Sequence, residues 1–191
     1  MKVTLARTVT ALTSAASRLL GRSFGAVALR PLSRPFYDLK AQALDGTEVD
    51  LSRFAGQVTM AVNVASECGF TPQYAALEQL HRELAPRGFS VLGFPSNDFG
   101  AQEPGSSGDI QSFCQTGFGV TFPLFEKSKT RAGPAQSPVY ARLGESGRLP
   151  RWNFYKYIIG RDGQVVAVFP TNVAPDAAAV RKTIEQALGA K

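Results

Sequence analysis

The sequence is poor in the residues that build most metal sites and disulfide scaffolds. Its 191 residues include two cysteines, Cys68 and Cys114, and one histidine, His81. Small secreted scaffolds held together by disulfides carry more cysteines than this, and these three residues lack the spacing of zinc ligands. A Cys-His catalytic pair would have to use His81, which lies inside a predicted helix and near neither of its ends. The sequence therefore indicates no metal site and no disulfide scaffold.

Long apolar stretches are missing as well, and nothing approaches the roughly 20 apolar residues that a membrane-spanning helix needs. We therefore expect no stable membrane insertion. The net charge of +6 suggests a nucleic-acid partner at first sight. However, six of the 21 basic residues lie before residue 35, where no acidic residue occurs, and the other 15 balance the 15 acidic residues. Because the rest of the chain is formally neutral, its composition does not indicate nucleic-acid binding.

Residues 1–34 form a basic, amphipathic segment without acidic residues. On a helix at about 100° per residue, the apolar residues of its first half, such as Leu5, Leu12 and Leu19, gather on one face, and Arg7, Arg18 and Arg22 lie on the other. This pattern is typical of an organelle transit peptide, but a disordered tail or a mistaken start site would explain it too. The interrupted apolar runs do not fit a secretory signal. The compartment stays open between the cytoplasm and a mitochondrion or other organelle, and residues 35–191 are predicted to form one domain.

The remaining sequence predicts alternating strands and helices. Apolar runs at 58–64 and 89–95 flank an amphipathic helix over about 72–84, with Thr71 as its N-cap and Pro72 as its first residue. Two strands joined by a helix form a parallel βαβ unit. Further predictions are a hairpin within 36–49, a short helix at 109–115, an extended segment at 120–125, a helical turn at 138–143, a hairpin over 154–169 and a helix at 175–188. This order describes an α/β, thioredoxin-like fold with a mixed central sheet flanked by helices.

Cys68 lies between the end of the first buried strand and the start of the following helix. Free backbone amides and the positive end of the helix dipole favour a thiolate at such a position. A buried structural thiol is the competing interpretation, because most lone cysteines are packed in the core. A dithiol motif would have its second cysteine three residues later, where this sequence has Thr71. Dithiol exchange within the turn is therefore excluded, and a peroxide oxygen is a suitable electrophile for a single reactive sulfur.

Four segments add to this picture: NVASECGFT at 63–71, FPSNDFGAQEPG at 94–105, VTFPLF at 120–125 and WNFYK at 152–156. Together they resemble the glutathione peroxidase family in its cysteine form, over about residues 36–188. The resemblance implies an enzyme that reduces hydrogen peroxide and organic or lipid hydroperoxides with a thiol reductant, either thioredoxin or glutathione, and without a bound cofactor. Ser96 and Asp98 depart from the family pattern, in which a third cysteine and a glutamine are usual.

By this resemblance, Cys68, Gln102, Trp152 and Asn153 form the catalytic tetrad. Two side-chain amides and an indole N–H are neutral donors that can hold a thiolate and later a leaving oxygen. Without the resemblance, a packed Trp152 and a solvated Gln102 would be the more common interpretation. The insertion that builds the tetramer in some animal members is absent. This implies a monomer whose site is open to bulky lipid or organic hydroperoxides.

Cys114 occupies the place of the resolving cysteine in members that use thioredoxin. That role requires a disulfide with Cys68, so the two Cα atoms must come within about 7 Å. We expect a larger separation in the reduced chain and a local unfolding of the short helix, which Gly117 and Gly119 make easier. A packed core thiol is the alternative for Cys114.

Two other functional classes use the same residues. One is a redox sensor or relay that passes its oxidation to a partner protein. The other is a thioredoxin-fold binding protein with an inert thiol. Only catalytic turnover with peroxide and reductant separates the enzyme from the relay, and only the reactivity of Cys68 separates both from the binding protein.

Overall fold

The structure is a computed structural model that describes residues 28–190. These residues form six strands and four α-helices. In chain order the elements are β1 (Lys40–Gln42), β2 (Glu48–Asp50), β3 (Val58–Val64), α1 (Gln73–Leu84), β4 (Phe89–Pro95), α2 (Ser107–Phe118), α3 (Pro138–Gly144), β5 (Lys156–Ile159), β6 (Val165–Phe169) and α4 (Ala178–Gly189). β1 and β2 pair as a small antiparallel hairpin, whereas the other four strands form one sheet in the order β4-β3-β5-β6.

The central sheet is mixed. β3 and β4 run parallel and are connected through α1, whereas β3 pairs with β5 and β5 pairs with β6 in antiparallel fashion. Every residue of β3 and β4 is buried, as expected for strands that are covered on both faces. The predicted α/β architecture, a mixed central sheet flanked by helices, is confirmed.

The sheet separates two apolar cores. Met60 and Val62 of β3 pack with side chains of α1, α2 and α4. The intervening Ala61, together with Leu92 of β4, packs with α3 and with the segment that precedes β1. This division follows from the alternation of side chains along a strand. The carboxyl end of β3 then leads directly into the turn that holds Cys68.

The start of the domain differs from the prediction. Phe36–Asp38 forms a single 3-10 turn, and β1 begins only at Lys40. Phe36 and Tyr37 are both buried in the core on the α3 side. Because adjacent side chains of a strand point in opposite directions, two consecutive residues can share one core only if the backbone turns. The predicted Asp-Gly turn is present, and Gly46 takes the left-handed conformation with φ 82°.

α2 extends further than the predicted 109–115. Ser106 and Asp109 form a reciprocal capping box at its start, in which each side chain accepts a hydrogen bond from the backbone of the other residue. Gly119 takes the left-handed conformation at its C-terminus. The helix is therefore well defined at both ends and holds Cys114 in its interior.

Part of the predicted leader packs against the domain. Leu32 is buried in the core on the α3 side, and its amide donates a hydrogen bond to Gln164 Oε1 at 2.8 Å. The amide of Ser33 donates to Glu145 Oε2 at 2.7 Å. Contacts with the domain thus begin before residue 35. The rest of the leader, residues 1–27, lies outside the described residues, so the transit peptide stays a prediction. Within 28–190, no helix combines the length and apolar character needed to cross a membrane.

Candidate active site

The Cys68 side chain is buried in a tight turn between β3 and α1. Its sulfur accepts a hydrogen bond from the amide of Phe70 at 3.4 Å. The hydroxyl of Thr71 accepts from the amide of Cys68 at 3.1 Å and donates to the carbonyl of Ala65 at 2.8 Å. The predicted N-cap role of Thr71 is therefore wrong, and α1 begins at Gln73 without a side-chain cap. Thr71 instead closes the turn and fixes the backbone that presents the sulfur.

Gln102 reaches this turn from the long loop between β4 and α2. Its backbone carbonyl accepts a hydrogen bond from the backbone amide of Glu67, the residue before Cys68, at 3.0 Å. The loop approaches through two consecutive left-handed residues, Gly100 with φ 66° and Ala101 with φ 52°. A left-handed alanine is unfavourable by roughly 1–2 kcal/mol, so the surrounding contacts hold the chain in this conformation.

Asn153 approaches Gln102 from the loop that precedes β5. Its Nδ2 donates to Gln102 Oε1 at 3.0 Å and, with a longer bond of 3.4 Å, to the carbonyl of Phe99. These two acceptors fix the orientation of the Asn153 amide and use both of its protons. Gln102 Oε1 is occupied as well, which leaves Gln102 Nε2 as the amide donor that has no partner among residues 28–190. Asn153 is fully buried, and its Oδ1 lacks a partner in the same range.

Trp152 stands at the exposed edge of this group. Its side chain is 39% exposed, and Phe70 next to Cys68 is 38% exposed. The ring centroids of Trp152 and Phe99 lie 5.9 Å apart. The guanidinium carbon of Arg131 lies 5.3 Å from the centroid of the Phe99 ring. An aromatic surface with a cation at its border therefore adjoins the buried amides.

The two residues that depart from the family pattern have structural roles. Ser96 is fully buried at the end of β4, where its amide donates to the carbonyl of Val64 at 3.0 Å. The carboxylate of Asp98 accepts hydrogen bonds from the amide and hydroxyl of Thr130 at 2.5 and 2.9 Å. Burial by itself would raise the pKa of Asp98, but hydrogen bonds from Thr130, Arg131 and Lys129 together lower it below the ordinary value. Asp98 thus anchors the loop that carries Arg131.

Glu103 follows Gln102 and is fully buried. Neither of its carboxyl oxygens has a hydrogen-bond partner in the described part of the chain. Burial raises the pKa of Glu103 above the ordinary glutamate value, and contacts with Ser66 and Lys127 offset only part of this effect. Its neutral form is therefore more favoured than that of an exposed glutamate.

Cys114 lies in α2, in the same apolar core as Cys68. Both cysteines are buried free thiols. Burial raises the pKa of Cys114 to about 11, an effect that the nearby Tyr74 hydroxyl partly opposes. With α2 folded, Cys114 is a neutral thiol at physiological pH and is a weak nucleophile.

Three further residues support the site and were not singled out by the sequence. Asn63 Nδ2 donates to the carbonyl of Trp152 at 2.9 Å, and Thr171 Oγ1 donates to the carbonyl of Asn153 at 2.7 Å. Lys156 contacts the same segment. The partners of Asn63 and Thr171 lie 89 and 18 residues away along the chain, so no local pattern links either residue to its partner.

Comparison with known proteins gives the geometry a context. A sequence model described as Glutathione peroxidase matches residues 36–144. The chain belongs to the glutathione peroxidase family. It is 46% identical over 151 residues to the hydroperoxy fatty acid reductase gpx1 of Synechocystis, an alignment that covers 73% of this chain and 89% of the relative. It is 41% identical over 169 residues to the thioredoxin/glutathione peroxidase BtuE of Escherichia coli, with 76% and 92% of the two chains covered.

A solved structure agrees with these relatives. The crystal structure of T. cruzi GPX1 superposes with a TM-score of 0.64 at 27% identity and covers 82% of this chain and 97% of its own. The predicted thioredoxin-like fold and the predicted family are both confirmed. This member of the glutathione peroxidase family is therefore a peroxidase, and the family's reductants are thiols.

Proposed function

We propose that this glutathione peroxidase reduces organic hydroperoxides through a sulfenic acid on Cys68, which Cys114 converts into a disulfide that a thioredoxin-like dithiol reduces. The observation that carries the proposal is the hydrogen bond from Asn153 Nδ2 to Gln102 Oε1 beside the Cys68 turn. It joins two residues of the predicted tetrad that lie 51 positions apart. It also leaves Gln102 Nε2 without a partner among residues 28–190, on a residue whose backbone carbonyl binds Glu67 in the Cys68 turn.

In the first step the Cys68 thiolate attacks the outer peroxide oxygen. The S–O bond forms as the O–O bond breaks, and the alkoxide leaves as the alcohol after taking a proton. Developing negative charge on the leaving oxygen needs preorganised donors. We assign this function to Gln102 Nε2 and the Trp152 indole N–H, and we assign to Asn153 the task of orienting Gln102, because both of its amide protons are engaged.

In the second step the sulfur of Cys114 attacks the sulfur of the Cys68 sulfenic acid. The S–S bond forms, the S–O bond breaks, and the hydroxyl leaves as water with the thiol proton of Cys114. Burial keeps Cys114 neutral while α2 is folded, so this attack needs α2 to open. Opening brings the thiol into water, where its pKa returns towards the ordinary value and more thiolate forms.

The two classes of reductant would act at different stages. A dithiol of the thioredoxin type reduces a protein disulfide by exchange, whereas glutathione would have to reach the sulfenic acid before Cys114 does. We therefore assign recycling to a thioredoxin-like protein. The Escherichia coli relative BtuE is named a thioredoxin/glutathione peroxidase, after both reductants.

The exposed rings favour bulky substrates. Trp152 and Phe70 are each more than one-third exposed, which is unusual for side chains of this size, and they offer an apolar surface to a hydrocarbon chain. The Synechocystis relative is named for the reduction of hydroperoxy fatty acids. We assign the same class of substrate to this chain, together with smaller organic hydroperoxides.

The test is a steady-state assay with cumene hydroperoxide and a fatty acid hydroperoxide. NADPH consumption is followed with thioredoxin and its reductase, and separately with glutathione and its reductase. We expect repeated turnover with thioredoxin, much slower turnover with glutathione, and none in Cys68→Ser. A single stoichiometric oxidation without turnover in either system would contradict the proposal and would favour the redox relay.

A further inference from the structure

The four residues before β5 form a turn whose polar backbone groups are held from several elements. The side chain and carbonyl of Asn63 bind the backbone at Trp152, Phe154 and Tyr155, with distances of 2.9, 2.6 and 3.0 Å. Thr171, in the segment after β6, donates to the carbonyl of Asn153 at 2.7 Å. We call this set of backbone groups, residues 152–155, the Trp-Asn turn.

The Trp-Asn turn contains an unfavourable backbone conformation. Phe154 has φ 60°, which is rare for a large side chain. This residue directly follows Asn153, and β5 begins only after it, at Lys156, two residues later than the sequence predicted. Residues held in such conformations persist only where their surroundings fix them, and they are concentrated at functional sites.

The side chain of Lys156 donates a hydrogen bond to Phe154, the residue that has this conformation. Its Nζ donates to the carbonyl of Phe154 at 2.7 Å, a length typical of a charge-assisted bond. The residue is fully buried as the first residue of β5, between Val62 of β3 and Phe169 of β6. No carboxylate within residues 28–190 forms an ion pair with it.

Lys156 and Asn63 bind the Trp-Asn turn from opposite faces of the sheet. Alternation along β5 places Lys156 on the side of Ile158, in the core with α1 and α4. Alternation along β3 places Asn63 on the side of Ala61, in the core with α3. A displacement of the Trp-Asn turn towards either face would therefore break hydrogen bonds from one of them.

A fully buried lysine without an ion pair is costly, so its presence requires a compensating role. Burial lowers the pKa of Lys156 to about 7, and both the ammonium and the amine can donate to a carbonyl. An apolar residue would fill the same space without this penalty, but it would leave the carbonyl of Phe154 without its buried donor.

We propose that Lys156 is a positioning residue for peroxide reduction, which acts by fixing the carbonyl of Phe154 and thereby the orientation of Trp152 and Asn153. The proposal rests on the proposed function, since it assigns Lys156 to the step in which Gln102 and Trp152 donate hydrogen bonds. It also predicts that Lys156 has no part in the later reduction of the disulfide, because the Trp-Asn turn does not contact α2 or Cys114 through any of the bonds described above.

The test uses Lys156→Met, which keeps most of the apolar volume and removes the donor. We expect the second-order rate constant for reaction with peroxide, per folded molecule, to fall about 10- to 100-fold, the range for a small misplacement of catalytic groups. The rate at which thioredoxin reduces the preformed disulfide should stay within about twofold. The intrinsic fluorescence of Trp152, the single tryptophan of the chain, should shift in its emission maximum, and this readout does not depend on activity.

Two variants control for a general loss of stability. Ile158→Ala removes buried volume from the same strand and the same face, and should lower stability without changing the peroxide rate constant or the Trp152 emission. Lys156→Arg keeps a buried donor and should recover part of the peroxide rate. An unchanged peroxide rate constant and emission maximum in Lys156→Met would overturn the proposal. Absence of peroxide reduction in the wild type would instead overturn the proposed function.

Discussion

Asn153 Nδ2 donates a hydrogen bond to Gln102 Oε1 at 3.0 Å, across 51 positions of the chain. The loop after β4 and the loop before β5 are thus joined at the turn that holds Cys68. The backbone carbonyl of Gln102 also accepts a hydrogen bond from the amide of Glu67 at 3.0 Å. This one glutamine therefore links its own loop to the Cys68 turn and to the loop before β5. The catalytic contribution of the two amides is therefore expected to be shared between them.

The first prediction is a double-mutant cycle on this pair. Gln102→Ala and Asn153→Ala should each slow the reaction with peroxide by about 10- to 1000-fold, the range for losing one preorganised donor. If Asn153 acts by orienting Gln102, the double variant should be little slower than Gln102→Ala alone. The measurement is single-turnover loss of free thiol at several peroxide concentrations. Fully additive losses would show that Asn153 acts independently of Gln102.

The second prediction concerns the closure of the Cys68 turn by Thr71. Thr71→Val keeps the shape of the side chain but removes the hydroxyl that joins Cys68 and Ala65. We expect the unfolding free energy to fall by about 1–3 kcal/mol, because two buried backbone groups lose their partner, and the peroxide reaction to slow. Thr71→Ser keeps the hydroxyl and is the matched control. Equal behaviour of the valine and serine variants in urea unfolding and in the peroxide assay would show that the Thr71 hydroxyl does not stabilise the Cys68 turn.

The turn that holds Cys68 could be predicted from the sequence because its signals are local. A buried β-branched run, a small-residue turn and Pro72 follow one another within 15 residues, and each acts on its own neighbours. The role of Thr71 was missed for a related reason: the same hydroxyl can cap a helix or bridge a turn, and only the path of the chain from Ala65 decides between them. The capping box at α2, in contrast, involves two residues three positions apart and is a local signal that the prediction overlooked.

The supporting residues of the site depend on tertiary pairing. Asn63 and Lys156 become partners of the Trp-Asn turn only because β3 lies beside β5 in one register. The left-handed conformation of Phe154 has no signature in its own side chain, since large residues rarely take it. The family resemblance predicted Gln102, Trp152 and Asn153 as site residues, but it gave no account of how the fold holds them together.

The third prediction is a pH dependence of stability due to Lys156. Burial lowers its pKa to about 7 in the folded chain, against 10.5 as the ordinary value. Between these values the unfolded chain binds more protons, so the stability that this group contributes rises with pH and is lost as pH falls through 7. From pH 7 to 9, the wild type should gain about 2 kcal/mol relative to Lys156→Met.

Urea unfolding of both proteins at several pH values measures this difference. The pH range ends at 9 because, above it, the raised pKa of Cys114 lowers the stability of both proteins. The unfolded thiol ionises near its ordinary value while the folded thiol does not, so stability from Cys114 is lost as pH rises through about 11. If the unfolding free energies of the wild type and of Lys156→Met change equally from pH 7 to 9, Lys156 does not change its protonation on folding.

The fourth prediction places the start of the folded domain before residue 35. Leu32 is buried in the core on the α3 side, so Leu32→Ala should lower the unfolding free energy by about 2–4 kcal/mol. Leu29→Ala, at a partly buried position of the same cluster, should have a smaller effect. The peroxide rate constant of the folded protein should be unchanged in both. A negligible effect of Leu32→Ala on urea unfolding would show that the folded domain begins at residue 35, as the sequence predicted.

The central claim is that oxidation of Cys68 by peroxide is completed by a disulfide with Cys114. The direct measurement is peptide mapping by mass spectrometry after one equivalent of an organic hydroperoxide is added to the reduced protein, with free thiols alkylated in urea at once. We predict one disulfide-linked pair of peptides that contain Cys68 and Cys114, and a sulfinic acid on Cys68 in Cys114→Ser after excess peroxide. Recovery of alkylated Cys114 next to oxidised Cys68 in the wild type, together with normal thioredoxin-driven turnover of Cys114→Ser, would contradict the account.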